Sequence, residues 1–555
     1  MRTVRKATSM FYLKEVVISW LVLYMALLLP SQIVMAATPV CTDAGGAAVV
    51  QGANTTTITV NQPETIMKWS NFNTASGESV AFQQGSLSNA AVLNRISGSA
   101  TQFDGDLSGP GMRIFLLNPS GIVFGSGSSV NVGQLVASSL NITDSDFLNG
   151  APYMFTDGIN AGDIVNEGSI SAERIALIGR NITNRGILMA DRSVVLAAGN
   201  TVQISETGGK VIVDIPVPNP DSLVNNEGLN GISVEGTDVQ VYLGAGDIWS
   251  SAYIYAEGWR TASAELSAER DIGITNSVEV FAYGGEAGDA TASIDVSAGG
   301  NVVITGIGEE AGLAAEAEWG DINIAQITVN AGGDVYINAG YEGQAYICSE
   351  AYDGNINNSS VKVNAGGSVQ VIAEEGGAYA ELAAYAEDAY GGTQNPAGNL
   401  ASVDITANNV EVWAIGDSDA RIKARAAYAY SYDEEFYADG IRPMQEFEIE
   451  PDGSFNTAKV EIHTFKTEME TPVFDDSLRI YNPEDSGGGH VEAYATNGGN
   501  AQIEAVTFGS EYESFPVNNS SVLICAEGKV LTEAANYQEY QGYEQGSTAK
   551  ISSLA

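Results

Sequence analysis

The sequence predicts an all-β chain wound as a right-handed parallel β-helix, a solenoid with a cap at its N-terminal end. Three observations carry this expectation. Composition is the first: 44 % hydrophobic residues stand beside 62 Gly and 15 Pro, a balance that suits many short strands and turns and suits long helices poorly. Repetition at a fixed offset is the second, because stacked copies of one short unit make a solenoid. Period-two alternation within each copy is the third.

The repeats are plainest where two segments are overlaid. Asn166 to Arg174 matches Asn184 to Arg192 at an offset of 18, and one inserted residue later Ile175-Ala-Leu177 matches Val194-Val-Leu196 at an offset of 19. Alternation sends Ile170 and Ala172 to one face, so a single copy has an apolar side that it cannot bury alone. Stacking successive copies as parallel strands buries that side in a continuous column, whereas an antiparallel sandwich predicts no fixed offset. A longer unit follows: Ile294 to Ile304 recurs as Ile327 to Ile337 and Val361 to Val371, and more weakly from Val403 to Val412, with the marked alanines Ala298, Ala331, Ala365 and Ala407 spaced 33, 34 and 42 apart. Each such unit is long enough for more than one rung of about twenty residues. Tyr253 with Tyr255, and Tyr428, Tyr430 and Tyr432, alternate at strand period and form candidate aromatic ladders.

Charge and address narrow the class. Acidic residues number 69 against 24 basic ones, for a net charge of -45. The stretch from Phe281 to Ala420 holds 21 Asp or Glu, and Lys362 is its one basic residue. Such a surface repels phosphate backbones and anionic lipid, so nucleic acid is not an expected partner. Arg2, Arg5, Lys6 and Lys14 precede an apolar run from Ile18 to Leu29 and a small-residue site at Ala36, the pattern of a cleaved signal peptide over 1–36. No apolar stretch of membrane-spanning length follows it. Cys41, Cys348 and Cys525 are too few and too scattered for a disulfide framework, and His463 and His490 stand alone without metal-ligand spacing. No metal and no cofactor is expected.

From Ile66 to Gly150 the chain resembles the haemagglutination-activity, or secretion, domain of filamentous haemagglutinin-like exoproteins. The resemblance rests, in order, on Trp69-Ser-Asn-Phe72-Asn73, Val92-Leu93-Asn94-Arg95-Ile96, Asn118-Pro119-Ser120-Gly121-Ile122 and Val130-Asn131-Val132-Gly133. Ser120 stands where that family usually carries a second Asn. Turn chemistry accounts for the third motif by itself: Asn at i, Pro at i+1 and Gly at i+3 favour a type I β-turn. The resemblance implies that this turn and its neighbours take part in recognition by an outer-membrane barrel transporter of the two-partner secretion type, through which an unfolded chain passes before folding outside. It also implies a secreted or cell-surface adhesin or surface-structure protein, for which a host-cell, matrix or glycan receptor is the expected partner. The domain boundaries follow: a secretion domain over 37–245, acidic Ala/Gly/Tyr-rich β-helical repeats over 246–432, an insertion or protruding loop over 433–475, and C-terminal β repeats over 476–555.

An enzyme is the rival reading, because parallel β-helices also host lyases and glycosidases. Glu374 with Glu375, Glu316 with Glu318, and Asp433-Glu434-Glu435 are its candidate carboxylate pairs. Adjacent acids arise by number alone in so acidic a chain, and a lyase acting on uronate sugars needs cations that the long stretch around Lys362 lacks. The tail from Val522 to Ala555 returns to short strands and shows no catalytic cluster of the kind a toxin domain would carry. The nonapeptide calcium repeat is missing as well. The expectation is therefore no catalytic residue.

Overall fold

Alternating apolar positions turn the chain into short strands whose inward side chains close on one another as parallel ladders. In the computed structural model the described residues are 38–228, 231–285, 288–374, 376–392, 397–432, 455–464, 491–496, 500–508, 517–525, 530–535 and 548–554. The expected signal peptide lies outside them. Among the described residues one 13-stranded ladder runs from Thr101–Phe103 to Val530–Ala535, and a 25-stranded sheet supplies the other sides of the coil. Both propagate by parallel pairing from rung to rung, which makes the unit Thr38–Ala555 a parallel β-helix.

In the early rungs one long, bent strand serves two sides of the coil. Ser169–Gly179 pairs with Ile187–Ala198, with Ala172 opposite Ala190 and, past a bulge, Arg174 opposite Ser193. This is the 18-then-19 offset of the sequence, with the change falling just before Arg174 rather than after it. From Ile254–Ala268 onward the rungs widen, because the two halves of that strand pair with two separate strands, Ser277–Tyr283 and Ala290–Ala298. Ala298 is then directly opposite Ala331, and Ala331 opposite Ala365. Each unit of 33 or 34 residues is thus one wide rung of three strands and not several. Its extra residues lie in a new corner and in strands of nine or ten residues.

Within the stretch expected to protrude, Phe455–Thr464 is a ladder strand. Val460 sits opposite Val403 on one side and Val522 on the other. Its Ala458, Val460 and Ile462 alternate and are fully buried, so that the loop expectation fails there for the same reason that the repeats form. The rest of that stretch, 433–454 and 465–475, lies outside the described residues.

The interior is a column of apolar side chains. Ile294, Ile327, Val361, Val403 and Val460 occupy one register position on five successive rungs, and each is at most 1 % exposed. Full burial of a side chain of this size is worth about 1.5–3 kcal/mol. Among the described residues, several buried asparagines form ladders that satisfy one another from rung to rung. Asn166 Nδ2 donates to Asn184 Oδ1 at 2.8 Å, Asn184 to Asn226 at 2.9 Å, and Asn226 to the Ser250 hydroxyl at 3.1 Å. Asn323, Asn357 and Asn399 form a second ladder with 3.0 Å steps.

Two additions distinguish the N-terminal rungs. Val40–Asp43 lies antiparallel to Glu64–Asn71, and Ala48–Gln51 lies antiparallel to Thr55–Thr59, so the first rungs meet a reversed strand where a bare parallel edge would invite further pairing. An outer layer also covers one wall. It consists of a short helix, Asp144–Asn149, and an antiparallel sheet of Tyr153–Phe155, Thr201–Thr207 and Lys210–Val217. Beneath it the wall strands are buried on both faces and read as continuous apolar runs such as Ile114-Phe115-Leu116-Leu117. Leu93, Phe115, Leu117, Phe147, Phe155, Ile178 and Val195 form this second core.

Candidate functional site

The residues that carry the family resemblance converge on the junction of cap, first rungs and outer layer. Trp69 is fully buried, and its indole Nε1 donates to Asn94 Oδ1 at 3.0 Å, while Asn94 Nδ2 donates to the Phe115 carbonyl at 3.1 Å. A buried amide is costly unless its groups are paired, and here the Trp supplies the donor. Trp69 meets Phe72 edge-on at 5.0 Å, Phe72 stacks on Phe103 at 6.1 Å, and Phe103 meets Phe124 at 6.2 Å, an aromatic column through the first rungs. Arg95 turns outward and holds the outer layer down. Its Nε donates to Asp144 Oδ1 at 2.7 Å, Nη1 to Asn141 Oδ1 at 2.9 Å and Nη2 to the Ile142 carbonyl at 2.5 Å. Thr143 then caps the helix by accepting from the Asp146 amide, and Phe147 packs edge-on against Phe115 at 5.2 Å.

The Asn118–Gly121 turn forms as its residues dictate. The Gly121 amide donates to the Asn118 carbonyl at 2.9 Å, and the Ser120 amide to Asn118 Oδ1 at 3.0 Å. Ser120 keeps an ordinary negative φ, which fits type I and excludes type II. Asn118 is fully buried, and its Nδ2 also donates to the Ser99 carbonyl and the Thr101 hydroxyl, both at 2.9 Å. Gly121 adopts φ +105°, and a Cβ there would lie 2.7 Å from the Asp163 carbonyl oxygen. Ile122 is in the core. Only Pro119 and Ser120 of the five are exposed, and the Ser120 hydroxyl donates to the Gly98 carbonyl at 2.6 Å. Gly133 marks the bulge between Val132 and Gln134, where a Cβ would clash with the Met112 backbone at 2.7 Å. Asn131 is exposed, opposite Ser108 and Ser171 on the neighbouring rungs.

A second surface lies on the acidic repeats, outside Ser277–Tyr283, Glu310–Glu318, Gln344–Tyr352, Tyr379–Gly392 and Asp419–Tyr432. Register stacks its outward residues as Phe281, Glu316, Glu350, Tyr385, Arg425 in one column and Tyr283, Glu318, Tyr352, Glu387 in the next. Tyr253 and Tyr255 stack at 5.8 Å as the sequence suggested, and Tyr255 continues to Phe281 at 5.5 Å. The side chains of Tyr428, Tyr430 and Tyr432 lie outside the described residues. Many of the tyrosines here donate to carboxylates: Tyr253 to Glu279, Tyr255 to Glu257, and Tyr352 to Glu316. Of Glu316 and Glu318, read from the sequence as a carboxylate pair, Glu316 accepts from Tyr352, and Glu318 lies beside the same hydroxyl. Glu374 accepts from Asn338 at 3.3 Å, while Glu375 and 433–435 lie outside the described residues. Cys41 and Cys348 are free thiols, and Cys348 Sγ lies 3.3 Å from Glu350 Oε1.

Burial holds Glu279, Glu316, Glu350 and Glu387 above the ordinary carboxylate range, and neighbouring carboxylates add to the effect at Glu279 and Glu350. Because the folded values exceed the unfolded one, these groups stabilise the fold fully only below the unfolded Glu value of about 4.3. That contribution is lost as pH rises through the folded values. The melting temperature of the protein should therefore rise as pH falls from about 7.5 towards 5, and Glu316→Gln with Glu350→Gln should flatten the rise. A melting temperature that falls over the same interval, or an unchanged slope in the double variant, would contradict the assignment.

The outer layer and the corner aromatics Trp259 and Trp319 were not read from the sequence. The first had a signal: Gly208-Gly209 joins Thr207 to Lys210 with φ +61° and +84°, the two-residue hairpin that Gly-Gly between alternating strands announces. The second shows only once rung length is known.

Known proteins resemble this chain in part. Residues 32–307 match the model of the TPS secretion domain. The heme/hemopexin-binding protein of Haemophilus influenzae is 30 % identical over 202 residues, which are 33 % of this chain and 22 % of that protein, so the chain spans under a quarter of that relative's length. The crystal structure of the HMW1 secretion domain from Haemophilus influenzae aligns at 18 % identity with a TM-score of 0.38, covering 77 % of this chain and 96 % of that one. With a matching domain model that spans the cap, the aromatic column, the Asn118–Gly121 turn and the outer layer, the chain belongs to the exoproteins of two-partner secretion.

Proposed function

We propose that an outer-membrane barrel transporter recognises residues 37–245 and exports the chain after a signal peptide has directed it across the inner membrane. On this reading the acidic repeats are then displayed outside the cell as an adhesin or surface-structure protein without enzymatic activity. The match of residues 32–307 to the secretion-domain model is the observation that carries the proposal. The fold suits the route. Each rung pairs with its neighbours, so the capped first rungs can template the next one as it emerges. Asn118, Gly121 and Ile122 hold the turn from inside, which leaves Pro119 and Ser120 as the turn residues a transporter can touch.

The test is localisation of the full chain in cells with and without the partner transporter. The expected result is extracellular or surface protein only when the transporter is present. Equal export in both strains would refute the transporter reading.

A further inference from the structure

The new corner of the wide rungs carries an exposed aromatic row. Trp259 lies at the bend of Ile254–Ala268, Tyr283 at the end of Ser277–Tyr283, and Trp319 just past Glu310–Glu318. Ring centroids are 5.9 Å apart for Trp259 and Tyr283, and 5.4 Å for Tyr283 and Trp319. The two tryptophans are 62 % and 58 % exposed. At the same corner of the next two rungs stand Asp353 and Asp388, and Trp319, Asp353 and Asp388 share a left-handed backbone with φ 58°, 58° and 54°. Asp tolerates that conformation, whereas for a bulky residue it is an outlier. The aromatic row therefore runs into an acidic one. Asp353 is within electrostatic reach of Glu318 and of Asp388, and Tyr283 of Glu257, Glu316 and Glu318. The neighbouring cations are already paired, Arg260 with Asp238 and Arg425, which also acts on Asp388, with Glu387.

We propose that this corner, Trp259–Tyr283–Trp319 continuing into Asp353 and Asp388, is a docking strip for an arginine- and lysine-rich segment of a partner protein. Charge complementarity selects the occupant. Guanidinium groups stack on aromatic faces and pair with carboxylates, and the corner offers both in one line, which from Tyr283 onward lies on the stretch from Phe281 to Ala420 whose one basic residue among 21 acids is Lys362. A neutral glycan fits less well. It would meet the rings but leave the Asp353 and Asp388 carboxylates without an opposite charge. The proposal gives a partner class to the surface-protein reading above and rests on it only for where the partner is met. Binding in solution and export are separate measurements, so either can fail alone.

The test is calorimetric titration of the mature full-length chain with octa-arginine, beside W319D and W259A/W319D, at two salt concentrations. Asp already occupies this corner in the following two rungs, so W319D keeps the backbone while removing the ring and adding a negative charge. The expected result is about tenfold weaker binding for W259A/W319D and a smaller loss for W319D, in proteins whose circular dichroism is unchanged. If W259A/W319D folds poorly, W319D alone decides the matter. Equal or tighter binding by the ring-deleted proteins means general attraction to a polyanion and overturns the proposal. So does a panel of neutral oligosaccharides that needs the two tryptophans while octa-arginine does not.

Discussion

Trp69→Ala should destabilise the first rungs by about 3–5 kcal/mol, the range for emptying a buried aromatic site. The change removes the edge-on contact with Phe72, opens the column that continues through Phe103 and Phe124, and strips Asn94 Oδ1 of its donor. Because rungs depend mainly on their neighbours, the loss should be local at first. Hydrogen exchange over 64–124 should accelerate while the strands from Ala290 onward keep their protection. Trp69→Phe is the informative companion: it keeps a ring beside Phe72 but still orphans Asn94, for about 1–3 kcal/mol. Unchanged exchange in Trp69→Ala would mean that the aromatic column is not what secures these rungs. In cells the same variant should lose transporter-dependent export, if the folded or nascent first rungs are what the transporter reads.

Asn184→Leu is the second large effect. Asn184 sits mid-ladder, accepting from Asn166 at 2.8 Å and donating to Asn226 at 2.9 Å with no exposed surface. Leu leaves one buried donor and one buried acceptor unpaired at about 1–3 kcal/mol each, together about 2–6 kcal/mol. A control is built into the chain. Asn364 donates to Asn330 at 2.8 Å in the same rung-to-rung fashion on an exposed face, where water replaces a lost partner. Asn330→Leu should therefore stay within about 0.5 kcal/mol. Equal effects at the two sites, measured by denaturant unfolding followed over each region, would show that burial is not what gives the inner ladder its weight.

How much of this was legible beforehand differs from element to element. The strands, their alternation and the 18-then-19 offset are local properties, and the register of Ser169–Gly179 on Ile187–Ala198 follows them to within one residue. The Asn118–Gly121 turn is equally local: Asn, Pro and Gly at fixed positions select it whatever surrounds them. Of the residues whose work is done at a distance, Trp69, Asn94 and Arg95 were named only through the resemblance, and Asp144 was not named. Trp69 and Asn94 are 25 residues apart, and Arg95 and Asp144 are 49 apart, with nothing in either local sequence to announce the pair.

The sequence by itself determined a parallel β-helix with an acidic repeat region, because period-two alternation and fixed spacing leave a stacked coil as the way to bury the apolar face. Tertiary structure decided which residues became neighbours along the axis. That depends on rung length, and rung length changes at Ile254–Ala268, where one bent strand becomes two. Only then do Trp259, Tyr283 and Trp319, scattered in the chain, line one corner, and only then does each unit of 33 or 34 residues resolve into one rung. Spacing in sequence is converted into proximity through the length of a turn of the coil, and the corners that set this length are closed by contacts between rungs.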